Sequence, residues 1–152
     1  MTASPSRCPS QDEKVVLVGL LLETNARLSK ELGAELDETC QLPLAWFEVL
    51  LQLRQAPEGR MKMTQMAEAI VHSTGGTTRL VDRLEVAGFV QRQSCPSDRR
   101  AIYIAPTAAG NAKLDDALGA HLAYLNDHLA ERLSLVERRA LAELLNKLNS
   151  PR

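Results

Sequence analysis

The hydrophobic period of this chain changes at Gly88, and few folds accommodate the change. Upstream, Thr77, Leu80, Leu84 and Ala87 recur at three- and four-residue intervals, which places them on one stripe of a helix with Thr78, Arg79, Asp82 and Arg83 turned outward. Ser73 stands where a hydroxyl can accept from orphan N-terminal amides, and Gly88 where a left-handed residue ends the helix. Downstream, residues 89–93 and 101–105 mix apolar and polar positions around a turn containing Pro96 and Ser97, which predicts a two-stranded hairpin.

The exposed positions of this unit suit an extended anionic partner. Gly75 and Gly76 are poor helix formers, each costing about 1 kcal/mol against alanine, so local stability does not explain them. A first turn without bulky side chains instead lets its amides, with the Ser73 and Thr74 hydroxyls, approach phosphates and base edges closely. At the hairpin tip Asp98, Arg99 and Arg100 cluster, and a basic loop beside an exposed helix suits the negative potential of a narrow minor groove. Asp98 is placed to orient an arginine in a bidentate pair. Two plainer alternatives stand beside these: a loop that merely enters a core helix, and a charged tip that is merely solvated.

The formal net charge of −1 hides an asymmetry. Residues 1–59 carry −4, residues 60–105 carry +3 and residues 106–152 carry none. The basic excess coincides with the proposed helix and hairpin, as expected of a phosphate-facing surface on a neutral body. Its modest size predicts that binding requires two copies. With 152 residues, 45% hydrophobic and 3% aromatic, the chain is one mostly helical domain rather than a sheet sandwich.

Residues 79–107 resemble the winged helix-turn-helix of the MarR family of bacterial transcription regulators. The family's recognition helix ends in a pattern like R-L-V-D-R-L-E-x-x-G-[LF]-V, matched from Arg79 to Val90. Asp98, Arg100, Ile104 and Thr107 fall in register with its wing pattern D-x-R-x-x-x-[VI]-x-L-T. Pro106 stands where leucine is usual, and Gly75 and Gly76 replace the usual small polar or apolar residues. The resemblance implies a mainly α fold with a small β-wing, and N- and C-terminal dimerisation helices interleaved about a two-fold axis. It also implies duplex DNA as partner and a small aromatic or phenolic effector.

The remaining chain is divided accordingly. Residues 1–11 are expected to be a disordered tail, 12–40 a first dimerisation helix opened by Asp12, 41–107 the winged helix-turn-helix region, and 108–150 C-terminal dimerisation helices. Within 41–107, a helix is expected from Leu42 to Gln55, a strand from Arg60 to Met63 and a helix capped by Thr64. Val15–Leu22 is apolar nearly all round and so needs cover from more than one side. Leu114, Leu118, Leu122, Leu125 and Leu129 are expected along one face, and Ser134 caps a last helix with Leu141, Leu144, Leu145 and Leu148. Both ends therefore carry more apolar surface than one small body hides, which predicts a homodimer.

The candidate DNA-binding set is Ser73, Thr74, Gly75, Gly76, Thr78, Arg79, Arg83, Asp98, Arg99 and Arg100. Trp46, Phe47 and Met61 are candidates to line an effector pocket, with Arg27 or Arg54 to hold an anionic effector. Cys8, Cys40 and Cys95 are an odd number at wide spacing, which suits reduced thiols in a cytoplasmic protein. Cys95, near the tip arginines, keeps thiol-based redox sensing open as an alternative input, and a winged-helix scaffold that binds protein is the competing class. His72, His121 and His128 lack a metal-ligand frame, and no nucleophile elbow, phosphate loop or dinucleotide fingerprint occurs. No metal, cofactor, catalytic residue or membrane partner is expected.

Overall fold

The structure is a computed structural model that describes residues 9–70, 74–94 and 101–150, with Pro9, Thr74 and Gly75 described by their backbone alone. After a short 3-10 turn at Pro9–Gln11, the order is α1 (Glu13–Cys40), α2 (Leu44–Gln55), β1 (Met61–Lys62), α3 (Met63–Ala69), α4 (Thr74–Val86), β2 (Val90–Ser94), β3 (Ile102–Pro106), α5 (Ala108–Leu125), a π-helical turn (Asn126–Ala130) and α6 (Leu135–Asn149). The protein is mostly helical with one small antiparallel sheet, as its composition predicts.

Local chemistry sets most boundaries. Asp12 accepts from the Lys14 amide at the head of α1, and Gln41 ends that helix in the left-handed region (φ 50°), its N–H bonding back to the Asp37 carbonyl. Ser134 and Glu137 form a reciprocal capping box on α6. Two expected starts shift. α2 begins at Leu44, because Pro43, with its fixed φ, occupies the N-cap and Leu42 lies buried ahead of it. α3 begins at Met63, because the Gln65 side chain accepts from the Lys62 N–H and makes Lys62, not Thr64, the first cap.

α2 is the axle of the core. Its buried residues are Phe47, Val49, Leu50 and Leu53, because α1, α3, α4, α5 and β3 all pack against it. Leu36, Leu42, Met66, Ile70, Leu80, Val81, Leu84, Val90, Ile104, Leu114 and Ala117 complete the cluster. Burying one such leucine contributes about 1.5–3 kcal/mol over leaving it exposed, so this cluster dominates stability.

In the sheet, β3 is central, flanked by β1 and β2. Pro106 pairs with Val90 at the end of β3 without loss of a ladder bond. The Thr107 amide donates to the Phe89 carbonyl at 3.0 Å, which makes Val90 and Pro106 a non-hydrogen-bonded pair. The proline nitrogen therefore points toward the side that β1, paired only as far as Ile104, does not reach.

The terminal helices are less closed. Val15, Val16, Leu17, Val18, Leu20 and Leu22 are all at least half exposed, as are Leu135, Val136, Leu144 and Leu148. On α5 the buried stripe runs through Gly110, Leu114, Ala117 and Tyr124, while Leu122 is 58% exposed. The expected leucine face is thus divided: Leu114 and Leu118 pack inward, and Leu122 joins the open apolar surface. Among the described residues no helix is long and apolar enough to cross a membrane.

Candidate nucleic-acid interface

α4 buries Thr77, Leu80, Val81 and Leu84 and exposes Gly76, Thr78, Arg79, Asp82 and Arg83. Val81 replaces the expected Ala87 on the inner stripe. Ala87 lies past the helix end and is exposed. The stop is a Schellman motif: Gly88 has φ +79°, its N–H donates to the Glu85 carbonyl at 2.9 Å, and the Phe89 N–H donates to the Leu84 carbonyl at 2.9 Å. At this φ a side chain would be strained, so glycine is required for the turn from α4 into β2.

The helix and the wing are braced against each other by a residue that the hydrophobic pattern did not single out. Arg92 on β2 donates to Asp82 and Glu85 on α4, and its backbone N–H donates to Glu85 at 3.2 Å. The two carboxylates, Asp82 first, push the guanidinium pKa above its ordinary value. Arg92 is therefore internally neutralised, and Asp82, though outward-facing, is a wing anchor. Arg79 and Arg83 remain as the exposed cations of α4.

The junction below the wing is equally specific. Thr107 Oγ1 donates to the Gly88 carbonyl at 2.6 Å and accepts from the Gly110 amide at 3.0 Å, tying the end of α4 to the start of α5. A Cβ at Gly110 would lie 2.0 Å from the Phe89 carbonyl oxygen, so the helix approaches the strand as closely as only glycine permits. Arg54, at the end of α2, reaches the Asn111 side chain and carbonyl, each at 3.2 Å, and Asp115 at 3.0 Å. The lobe that carries α4 and the wing is thus fastened to the first turns of α5.

His72, Ser73, Cys95, Asp98, Arg99 and Arg100 lie outside the described residues. The effector candidates disperse. Trp46 is half-buried, edge-on to Phe89 with centroids 5.9 Å apart, and lines an apolar groove with Val86 and Ala87. Phe47 is buried in the core against His121, centroids 4.9 Å apart. Met61 and Arg54 line two further clefts, and Arg27 pairs with Glu31 at 3.2 Å. Tyr124 donates to Glu31 at 2.6 Å, which holds that carboxyl below its ordinary range, and stacks on His128 at 4.0 Å. Cys40 is half-buried, with Sγ 3.9 Å from the Asp116 carbonyl. Among the described residues no three His, Cys, Asp or Glu side chains group to hold a metal.

A pair of short helices followed by the β2–β3 hairpin, which β1 from ahead of α3 extends to three strands, on a body of long helices, defines the class of winged helix-turn-helix regulators. Residues 42–102 match the model of the MarR family. A Bacillus cereus protein described as an uncharacterised HTH-type transcriptional regulator is 30% identical over 133 residues, covering 88% of this chain and 87% of its own. The chain therefore belongs to the MarR family of transcriptional regulators and is not an enzyme. Among solved structures, BldR from Sulfolobus solfataricus is 26% identical with a TM-score of 0.80, covering 93% of this chain and 97% of that one. Sco3205 from Streptomyces coelicolor, solved in complex with DNA, superimposes at TM-score 0.80 and 24% identity, covering 91% and 87% respectively.

Proposed function

We propose that the protein is a homodimeric, ligand-responsive transcriptional repressor. In this reading each protomer lays α4 in the major groove of duplex DNA and its wing in the adjacent minor groove. Two-fold symmetry then matches a near-palindromic operator with half-sites about 34 Å apart. The observation that carries it is the outward face of α4, with Gly76, Thr78, Arg79 and Arg83 exposed beside a wing that Arg92 holds at a set angle. The DNA-bound Sco3205 structure has the same fold and supports the same use. Apolar surface left open on α1, α5 and α6 supports the dimer.

Release requires an effector that prefers one dimer geometry over the other, since equal affinity for both shifts nothing. A small aromatic acid held between the terminal helices and the lobe would act on the Arg54–Asn111–Asp115 latch, which joins α2 to α5. The aromatic class comes from family resemblance, and screening phenolic acids by thermal shift tests it. Thiol sensing through Cys95, which lies outside the described residues, is the alternative input.

Binding is tested on the DNA upstream of the protein's own gene by mobility shift. The expected result is a salt-sensitive complex, in which Arg100→Ala weakens affinity on all sequences and flattens the salt dependence, while Thr78→Ala acts mainly on sequence preference. A wild-type chain that binds no duplex at low salt would favour the protein-binding scaffold instead.

A further inference from the structure

The wing's sheet has two unlike edges. β2 lies beside α4, and its basic residue, Arg92, is neutralised there by Asp82 and Glu85. β1 forms the opposite edge, where register sets Lys62 against Tyr103. The Arg60 guanidinium carbon lies 4.7 Å and the Lys62 ammonium nitrogen 5.8 Å from the Tyr103 ring centroid. The negative face of the ring attracts both cations and helps orient the two side chains.

They border a cleft of about 630 Å³ that also presents Gln52, Gln55 and Gln65 and a single carboxylate, Glu58. Glu58 grips Arg60 at 2.8 Å, whereas Lys62 has no ion pair among the described residues. Gln65 accepts from the Lys62 amide at 3.0 Å through its oxygen, which leaves its amide nitrogen as a donor toward the cleft.

We propose that this β1 edge is a second phosphate-contact site, gripping the DNA backbone on the far side of the groove that the wing enters. The inference rests on the proposed DNA-binding reading. Neighbouring strands are about 4.8 Å apart, so the β1 edge stands roughly 10 Å beyond the β2 edge. A minor groove is about 6 Å wide, so a wing seated in it places the β1 edge over the opposite phosphate strand rather than over bases. Ammonium, guanidinium and side-chain amide are the donors that phosphate oxygens take. Such contacts position the protein without reading sequence, and they release counterions.

The test uses the full chain, two duplexes (the DNA upstream of its own gene and a random sequence) and a salt series read by fluorescence anisotropy. Lys62→Gln should lower the slope of log affinity against log salt by about 0.9, and the Arg60→Gln/Lys62→Gln double by about 1.8, equally on both duplexes. The double should also lose about ten-fold in affinity near physiological salt. Hydroxyl-radical footprints of the double should lose protection on one strand beside the wing, while its thermal melt stays unchanged. If the wild type binds and Arg100→Ala lowers the slope, but Lys62→Gln and the double keep the wild-type slope and footprint, the β1 edge is not a contact. A wild type that binds neither duplex overturns the DNA-binding reading and this inference together.

Discussion

The lobe around α2 and the two terminal helices solve the burial problem differently. In the lobe, Leu42, Val49, Leu50, Leu53, Val81, Leu84 and Ile104 are all fully buried within one chain. At the ends, Val136 is 76% exposed, and Leu22 and Leu148 are each 65% exposed. Apolar side chains left in water forfeit about 0.8 kcal/mol per CH₂ that burial would return, so a sequence that keeps so many on two helices is built for another surface. The lobe is a finished unit, whereas α1 and α6 leave apolar faces open that the proposed dimer would cover. The Thr107–Gly110 junction and the Arg54 latch join the lobe to α5, which packs on α1, so in the proposed dimer a shift of α1 and α5 would reach α4 and the wing.

The contrast can be broken from either side. Leu144→Asp/Leu148→Asp should raise the dissociation constant of the proposed dimer by more than about 100-fold, from two buried leucines at about 1.5–3 kcal/mol each, while circular dichroism shows the lobe still folded. Equilibrium sedimentation reads the constant. Leu50→Ala, within the lobe, should cost about 3 kcal/mol in chemical denaturation by lost transfer energy and a cavity.

Gly110→Ala should cost about 2 kcal/mol, because the Phe89 backbone must yield to the added carbon, and it should loosen DNA binding as well as stability. Arg92→Ala removes pairs that are partly solvent-screened, so the melt should move by less than about 1 kcal/mol while DNA affinity falls clearly. A wing whose affinity survives Arg92→Ala does not depend on that brace.

The smallest expected effect is a pH dependence. Burial holds the His121 imidazole below its ordinary pKa, and its Nδ1 is buried without a partner among the described residues. The unfolded chain therefore takes up protons first as the pH falls below about 6.5. Stability should be full above that value and decline below it, and His121→Leu should flatten the decline in urea midpoints measured across the pH series.

Features decided by neighbours in sequence were legible before any coordinates. Asp12, Gly88 and Ser134 mark helix ends through bonds spanning a few residues, and the change of period at Gly88 separated helix from hairpin. What escaped depends on distant partners. Val49 and Leu53 are buried because α1, α3, α4, α5 and β3 all pack on α2, and Val81 joins the same buried cluster. Arg92 takes its role only from the packing of β2 beside Asp82 and Glu85, an i, i+3 carboxylate pair on α4. Lys62 and Tyr103 meet only through strand register, and Gly110 is demanded by the Phe89 carbonyl.

The mass of the full chain in solution at micromolar concentration, by sedimentation velocity, bears most directly on the claim that α1, α5 and α6 are one half of a shared interface. The expected species has twice the 16.7 kDa chain mass and halves on Leu144→Asp/Leu148→Asp. A wild-type species of 16.7 kDa, still folded and still binding DNA, would contradict it.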